Sequence, residues 1–101
     1  MAMNITKENF AQEVLQASQT VLADFWAPWC GPCQKQGPIL ESFAQAHPDI
    51  KVVKVNVDEE PELAGEFGIE FIPSLIVFKA GQITKASSGL HAVSDLEELV
   101  K

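Results

Sequence analysis

The chain has two cysteines, and they stand close together in the segment Cys30-Gly31-Pro32-Cys33. Two thiols at this spacing can form a disulfide with each other and can pass two electrons to another disulfide. A bridge across so short a loop contributes only about 2 kcal/mol in the chain-entropy model. Stability is therefore a weak reason for the pair, and its spacing favours thiol–disulfide exchange.

The residues on either side predict that Cys30 stands where a strand gives way to a helix. Residues 21–27 are almost continuously apolar, as in a central strand covered on both faces. The segment from 31 to about 46 has a helical pattern, and Pro32 fits a first helical turn, where no backbone donor is lost. Free N–H groups and the helix dipole at this N-terminus stabilise an anion, so we expect the pKa of Cys30 to fall below the ~8.5 of a free thiol.

These positions assign different roles to the two thiols. We expect the Cys30 thiolate to attack a disulfide in a partner protein and to form a mixed disulfide with it. Cys33 comes about one helical turn later, so it should lie deeper, be less exposed and stay protonated until it attacks Cys30. This second attack releases the partner and leaves a Cys30–Cys33 disulfide.

Two other interpretations of the cysteine pair are weaker. A zinc site needs about four ligands, and His47 and His91 lack ligand spacing relative to the cysteines or to each other. Inert core cysteines are also disfavoured, because the flanking Pro28 and Trp29 indicate a surface turn. We therefore expect no metal.

Size and charge restrict the protein further. With 101 residues, of which 47% are hydrophobic, residues 1–101 are expected to form a single domain. The formal net charge of −7 repels phosphate backbones and anionic lipid, so we expect neither nucleic acid nor a membrane as partner. The first residues are polar without the apolar stretch of a secretory signal, which favours a cytoplasmic location.

Helical segments alternate with short apolar runs along the rest of the chain, which is the pattern of βαβ units. We expect a first helix capped by Thr6 and ending near Ser18, with Leu15 on its buried face. Further elements are expected at 50–57 (strand), 61–67 (short helix), 75–79 and 82–86 (antiparallel hairpin) and after a Ser94/Glu97 capping box (last helix). Together they predict a mixed sheet with helices on both faces.

The segment Trp-Ala-Pro-Trp-Cys-Gly-Pro-Cys at 26–33 resembles the active-site motif of the thioredoxin family. The similarity extends over essentially the whole chain and includes Asp24, Pro38, Gly89 and segments 54–58, 67–69, 72–74 and 78–81. The resemblance implies the α/β thioredoxin fold, with a central mixed, mostly parallel sheet, an antiparallel C-terminal hairpin and helices on both faces. It also implies a monomeric protein disulfide reductase that serves electron transport and cell redox homeostasis. Its partners would be disulfide-containing client proteins and thioredoxin reductase, a flavoprotein that draws on NADPH to reduce the Cys30–Cys33 disulfide, with no bound cofactor.

Asp24 is an unusual residue for a covered strand, because an ionised carboxylate is costly to bury. Desolvation should raise its pKa, and it could then exchange a proton with Cys33 directly or through water. The resemblance places Lys54 on the neighbouring strand, within reach of Asp24. The alternative is that Asp24 stands at a strand end with access to solvent.

The resemblance also outlines a surface for substrates. It implies a cis peptide bond at Ile72-Pro73, packed against the disulfide, where the backbone can pair with an extended substrate segment. The substrate patch would consist of Trp29, Gly31, Pro32, Ile72, Pro73 and Gly89. Trp26 would shape the site from below, and Pro38 would kink the helix that carries Cys33.

The chain departs from the family pattern at two places. Gln34 follows the second cysteine where a basic residue is usual, and residues 35–37 are less apolar than is common. Phe71 replaces a small residue before the Ile-Pro pair and enlarges the apolar rim. Two alternatives to a reductase stay open on the sequence: a more oxidising disulfide exchange protein, and a non-catalytic binding or assembly module.

Overall fold

The computed structural model describes residues 2–101, which fold around a five-stranded sheet in the order β1-β3-β2-β4-β5. The strands are β1 (Met3–Asn4), β2 (Val21–Trp26), β3 (Lys51–Asn56), β4 (Ser74–Lys79) and β5 (Gln82–Ser88). β2 is central, as its apolar sequence predicts, and β1 and β5 form the edges. The β1–β3 and β2–β3 pairings are parallel, whereas β2–β4 and β4–β5 are antiparallel. The mixed sheet and the C-terminal hairpin are confirmed, but parallel pairing has a smaller share than expected.

Helices cover both faces of this sheet. They are α1 (Gly31–Ala46), α2 (Pro61–Glu66), α3 (Val93–Leu99) and a short π-helical segment (Ala11–Leu15). Successive side chains of β2 point to opposite faces, which divides the core into two layers. Phe25 packs in the layer that includes Val14 and Leu63, on the side of the π-helical segment and α2. Leu22 packs against Leu40 of α1 and Leu96 of α3 on the other side.

The N-terminal helix is present, with Phe10 and Val14 buried, but it is shorter and more widely wound than the sequence predicts. A turn at residues 7–9 and one α-helical residue, Phe10, precede the π-helical segment Ala11–Leu15, which closes through the bond from Gln16 N–H to the Ala11 carbonyl, five residues back. The Thr6 carbonyl oxygen accepts a hydrogen bond from the Phe10 N–H at 3.0 Å, and the Asn9 carboxamide oxygen accepts one from the Thr6 N–H at 2.8 Å. The start of the segment is therefore held by the Thr6 backbone and the Asn9 side chain, and not by the Thr6 side chain. Leu15 is 40% exposed, since the wider turn displaces it from the buried face.

The last helix also begins differently from the prediction. α3 starts at Val93, and the Asp95 carboxylate accepts a hydrogen bond from the Ala92 N–H at 3.0 Å. Ser94 is therefore inside the helix and does not cap it. The burial of Leu96 is confirmed.

The β4–β5 hairpin turns through two residues with positive φ, Ala80 at 53° and Gly81 at 76°. Left-handed backbone at both positions matches the twist of the paired strands. A Cβ atom on Gly81 would lie 2.8 Å from the Leu15 carbonyl oxygen, so this turn packs against the end of the π-helical segment. Glycine is required here both by φ and by space.

Candidate active site

The two cysteines lie where β2 gives way to α1. Cys30 is the N-cap residue of α1 and has extended backbone, with φ −88° and ψ 115°. Its sulfur accepts a hydrogen bond from the Cys33 N–H at 3.2 Å. The two residues form a disulfide, and their Cα atoms are 5.2 Å apart. The prediction of a strand, then the cysteine, then a helix is confirmed in its local detail.

The two cysteines are almost equally buried. Cys30 is 5% exposed and Cys33 is 4% exposed, so the expected difference in accessibility is very small at the level of whole residues. Both pack on the fully buried Ala27, and the partly buried Trp26 and Ile72 border them. The disulfide is therefore set into the surface, and a partner must approach it through the surrounding residues.

The loop before β4 and the loop after β5 meet beside the disulfide. The Ile72–Pro73 peptide bond is cis, and the Ile72 carbonyl oxygen lies 3.7 Å from Cys30 Sγ. Gly89, with φ 93°, donates from its N–H to the Pro73 carbonyl at 2.8 Å. Residues 42 and 59 positions after Cys30 are thus brought to its sulfur by the strand order, not by local sequence.

A groove of about 400 Å³ runs past the disulfide. We call it the substrate groove, and its lining residues are Gly31, Pro32, Lys35, Ile72, Pro73, Gly89 and Leu90. It contains all the predicted patch residues except Trp29. Lys35 and Leu90 are additions that sequence reasoning missed, although both directly follow or adjoin segments that it singled out.

Trp29 lies outside this groove and is 71% exposed. Its indole N–H donates to the Asp58 carboxylate at 2.9 Å, which ties the ring to the start of the loop after β3. Phe71 is also 71% exposed. Both rings therefore stand in solvent, although burial of such rings is favourable. Trp29 directly precedes Cys30, whereas Phe71 lines a second cavity, with Ile69 and Ser88, and not the substrate groove.

Asp24 is completely buried, so the alternative of a solvent-accessible strand end is wrong. Neither of its carboxylate oxygens has a hydrogen-bond partner among residues 2–101. Burial raises its pKa from 3.8 to about 7, and the positive charge of Lys54 partly offsets this rise. Asp24 points to the same face of β2 as Leu22, which is the face covered by α1.

Lys54 stands directly opposite Asp24 in the β2–β3 register. Its ammonium group, however, lies over the Trp26 ring, 4.2 Å from the ring centroid. Lys54 therefore acts on Asp24 through its charge while its nitrogen contacts an aromatic face. The Trp26 indole N–H is buried without a partner in the described chain.

Pro38 lies inside α1, as predicted, and is exposed.

Two polar residues near the site have contacts that the sequence did not reveal. Gln36 is fully buried on α1 and bonds to the backbone of His91. In the sequence, Gln36 stands out only as a polar residue where apolar residues are more common, and His91 only as a candidate metal ligand. Their partnership spans 55 positions, and a single sequence carries no local signal for it.

Across residues 2–101, no three histidine, cysteine, aspartate or glutamate side chains are grouped so that they could hold a metal ion. In the same part of the chain, no helix combines the length and the apolar character that crossing a membrane requires.

A disulfide at the N-terminus of a helix, beside a cis-proline loop and an open groove, defines a thiol–disulfide oxidoreductase. The Thioredoxin family model matches residues 1–101, and the chain belongs to the thioredoxin family.

Several curated thioredoxins are similar to the chain over most of its length. Thioredoxin of Alicyclobacillus acidocaldarius subsp. acidocaldarius is 49% identical, over 94% of this chain and 90% of the relative. Thioredoxin 1 of Synechococcus elongatus is 52% identical, over 81% and 78%. Thioredoxin of Bacillus subtilis is 45% identical, over 94% and 90%.

With the Cys30–Cys33 disulfide, this membership makes the chain a protein disulfide reductase that acts by dithiol–disulfide exchange. The fold and the redox-active pair predicted from the sequence are confirmed. A non-catalytic binding module and a more oxidising exchange protein are not favoured by these matches.

Proposed function

We propose that Cys30 is the attacking thiol and Cys33 the resolving thiol of the exchange reaction. In the reduced protein, the Cys30 thiolate attacks one sulfur of a client disulfide. A bond forms between Cys30 and that sulfur, and the second client sulfur leaves as a thiolate. The position of Cys30 as N-cap supports this assignment, because the Cys33 N–H and the helix N-terminus stabilise negative charge on its sulfur.

The second step releases the client. Cys33 loses its proton and attacks Cys30 Sγ, so that the Cys30–Cys33 bond forms and the remaining client sulfur leaves as a thiolate. Two electrons have then passed from the dithiol to the client disulfide. The Cα separation of 5.2 Å supports this step, since it lies in the range of ordinary disulfides.

Asp24 is proposed as the acceptor of the Cys33 proton, directly or through water. A carboxyl group with a pKa of about 7 exchanges protons readily at neutral pH, and Asp24 lies on the α1 side of β2. Lys54 is proposed to tune this group, because its charge limits the rise in the Asp24 pKa. Trp26 contacts the Lys54 ammonium group and packs against the cysteines, so we propose that it helps to shape the site.

The substrate groove is proposed to hold an extended segment of the client. Ile72 is positioned to pair with the client backbone, and Gly31, Pro32, Pro73 and Gly89 present little side-chain bulk. Trp29 adds an exposed apolar surface at the margin. Because backbone pairing needs no particular sequence, such a groove accepts many clients.

Re-reduction is proposed to come from a flavoprotein thioredoxin reductase that draws on NADPH, without a cofactor bound to this chain. We further propose a monomer that works in the cytoplasm on disulfide-containing client proteins. The family membership supports a reductase and client partners in general.

The observation that carries the proposal is the placement of Cys30 Sγ at the helix N-terminus, 3.7 Å from the Ile72 carbonyl oxygen in the substrate groove. The test compares Cys30→Ser with Cys33→Ser in reduction of insulin by dithiothreitol and in trapping of a mixed disulfide. Both variants should lose catalysis, and only Cys33→Ser should accumulate a covalent complex with insulin. Accumulation of the complex by Cys30→Ser would contradict the assigned roles.

A further inference from the structure

Gln36 makes an unusual contact for a residue inside a helix that covers a sheet. It stands one turn after Cys33 on α1 and is completely buried. Its side-chain amide nitrogen donates to the His91 carbonyl at 3.0 Å, and its amide oxygen accepts from the His91 N–H at 2.8 Å. Gln36 therefore pairs with both backbone groups of one residue, as a neighbouring strand would.

The His91 ring continues this contact toward the substrate groove. Its Nδ1 lies 2.7 Å from the Gly89 carbonyl oxygen, and its Nε2 lies 2.8 Å from the Ser87 hydroxyl on β5. A carbonyl oxygen can only accept, so Nδ1 carries the proton of this bond. His91 is 9% exposed, and both ring nitrogens and both backbone groups have partners.

These hydrogen bonds connect the residues on both sides of the groove in one continuous series. The Gly89 N–H donates to the Pro73 carbonyl, and the next carbonyl back, that of Ile72, faces Cys30 Sγ. The series starts on α1, which carries Cys33 and Gln36, and passes by hydrogen bonds to His91, Gly89 and Pro73. It ends at Ile72, whose carbonyl oxygen lies beside Cys30 Sγ. One wall of the groove is the first turn of α1, and the other consists of the Pro73 and Gly89 loops. Gln36 and His91 do not line the groove, but the hydrogen bonds between them link the helix wall to the loop wall.

We propose that Gln36 and His91 are positioning residues that hold the substrate groove at the width an extended polypeptide needs. Hydrogen bonds suit this task because they fix distance and direction, whereas an apolar contact at the same place could slide. An apolar side chain at position 36 would also leave the buried His91 N–H and carbonyl without partners. The pair therefore serves polypeptide clients, while a small disulfide needs access only to the sulfur atoms.

This inference rests on the proposed docking of clients in the groove, and it predicts a difference between two substrates. Gln36→Leu and His91→Leu are prepared in reduced form and mixed with insulin or with the small disulfide 5,5′-dithiobis(2-nitrobenzoate) under single-turnover conditions. For insulin, the half-saturating concentration should rise about tenfold in each variant, as expected for loss of one or two buried hydrogen bonds. The limiting rate with insulin and the rate with the small disulfide should change by less than about twofold.

Matched controls are available on the same helix. Gln45 is an exposed glutamine near the end of α1, and His47, which caps that end, is only partly buried. Gln45→Leu and His47→Leu should show wild-type values with both substrates. If the Gln36 and His91 variants lose equal activity toward both substrates, or behave as the controls do, the positioning role is wrong.

Hydrogen exchange provides a second readout if Gln36→Leu does not fold. In the wild-type chain the Gly89 and His91 amides should exchange as slowly as those of β2, and His91→Leu should accelerate the Gly89 amide at least tenfold. Rapid exchange of both amides in the wild type would overturn the proposal. Failure of this inference can be told apart from failure of the proposed function. If Cys30→Ser still catalysed disulfide reduction, the proposed function would be refuted, whatever the amide exchange rates show about the groove.

Discussion

Asp24 and Lys54 face each other across the β2–β3 pairing, yet the lysine ammonium lies over the Trp26 ring and the carboxylate has no hydrogen-bond partner within residues 2–101. The charge of Lys54 lowers the pKa of Asp24, but the larger effect of burial leaves it near 7. The buried acid is thus balanced close to half ionisation at neutral pH. This balance has measurable consequences for stability and for the reaction.

Asp24→Asn should change how stability depends on pH. The pKa of Asp24 is about 7 in the folded chain and near 3.8 when unfolded, so the folded chain retains a proton that the unfolded chain releases. Stability should therefore fall as pH rises from about 4 to about 7 and level off above that, by a total of about 4 kcal/mol. Asn cannot ionise, so the variant should gain stability above pH 7 and lose this slope. Urea unfolding of the oxidised wild type and variant at pH 5 and pH 8 gives the free energy of unfolding at each pH. If this free energy changed equally with pH in the two proteins, the prediction would be contradicted.

The same substitution should slow release of the mixed disulfide. If Asp24 accepts the Cys33 proton, its loss removes a general base, which is typically worth a factor of 10² or more. Stopped-flow measurements at pH 7, following tryptophan fluorescence after mixing with an excess of client disulfide, separate attack from release. The release phase should slow much more than the attack phase. A uniform slowing of both phases would point to a structural effect instead.

Phe71→Ser should weaken binding of apolar clients without loss of stability. The ring is 71% exposed, so it contributes little to the core. Phe71 precedes Ile72 of the substrate groove in the chain, so we expect a client segment that extends beyond the groove to contact the ring. Loss of about 1 kcal/mol of apolar contact corresponds to about a fivefold rise in the half-saturating client concentration. Ile83→Ser is the matched control, because Ile83 is 51% exposed on β5. An equal effect of the two substitutions would remove Phe71 from the substrate surface.

Gly81→Ala should destabilise the fold by about 2 kcal/mol or more. The positive φ of 76° disfavours a side chain, and the new Cβ would lie 2.8 Å from the Leu15 carbonyl oxygen. Gly65→Ala provides the comparison, because Gly65 lies within α2 and a Cβ there would have no heavy atom within 4 Å. That substitution should stabilise the chain by about 0.5–1 kcal/mol. Urea unfolding of both variants tests the contrast, and equal effects would contradict it.

The centre of the site is predictable from the sequence because its signals are local. An apolar strand, two cysteines and a proline in the next turn occupy adjacent positions, so the Cys30 cap and the start of α1 follow from helix physics alone. The burial of Asp24 follows in the same way from the apolar residues around it. The cis bond at Ile72–Pro73 was expected only from the family resemblance and is present.

The rest of the site depends on contacts between distant positions. Gln36 and His91 meet only because α1 and the loop before α3 cover the same face of the sheet. The direction of the Lys54 side chain is likewise set by the Trp26 ring and not by its own strand. The π-helical turn at Ala11–Leu15 was missed because an α-helical period and a slightly wider one are hard to separate over five residues. The bond from the Thr6 N–H to the Asn9 side chain helps to fix how that segment begins.

The two edge strands of the sheet affect how readily another chain can pair with it. β1 offers only two residues for pairing, and β5 carries Lys85 among exposed, largely polar neighbours. Short or lysine-bearing borders are poor templates for growth by strand addition. The sheet therefore offers an extended segment of another chain few favourable places to add as a sixth strand.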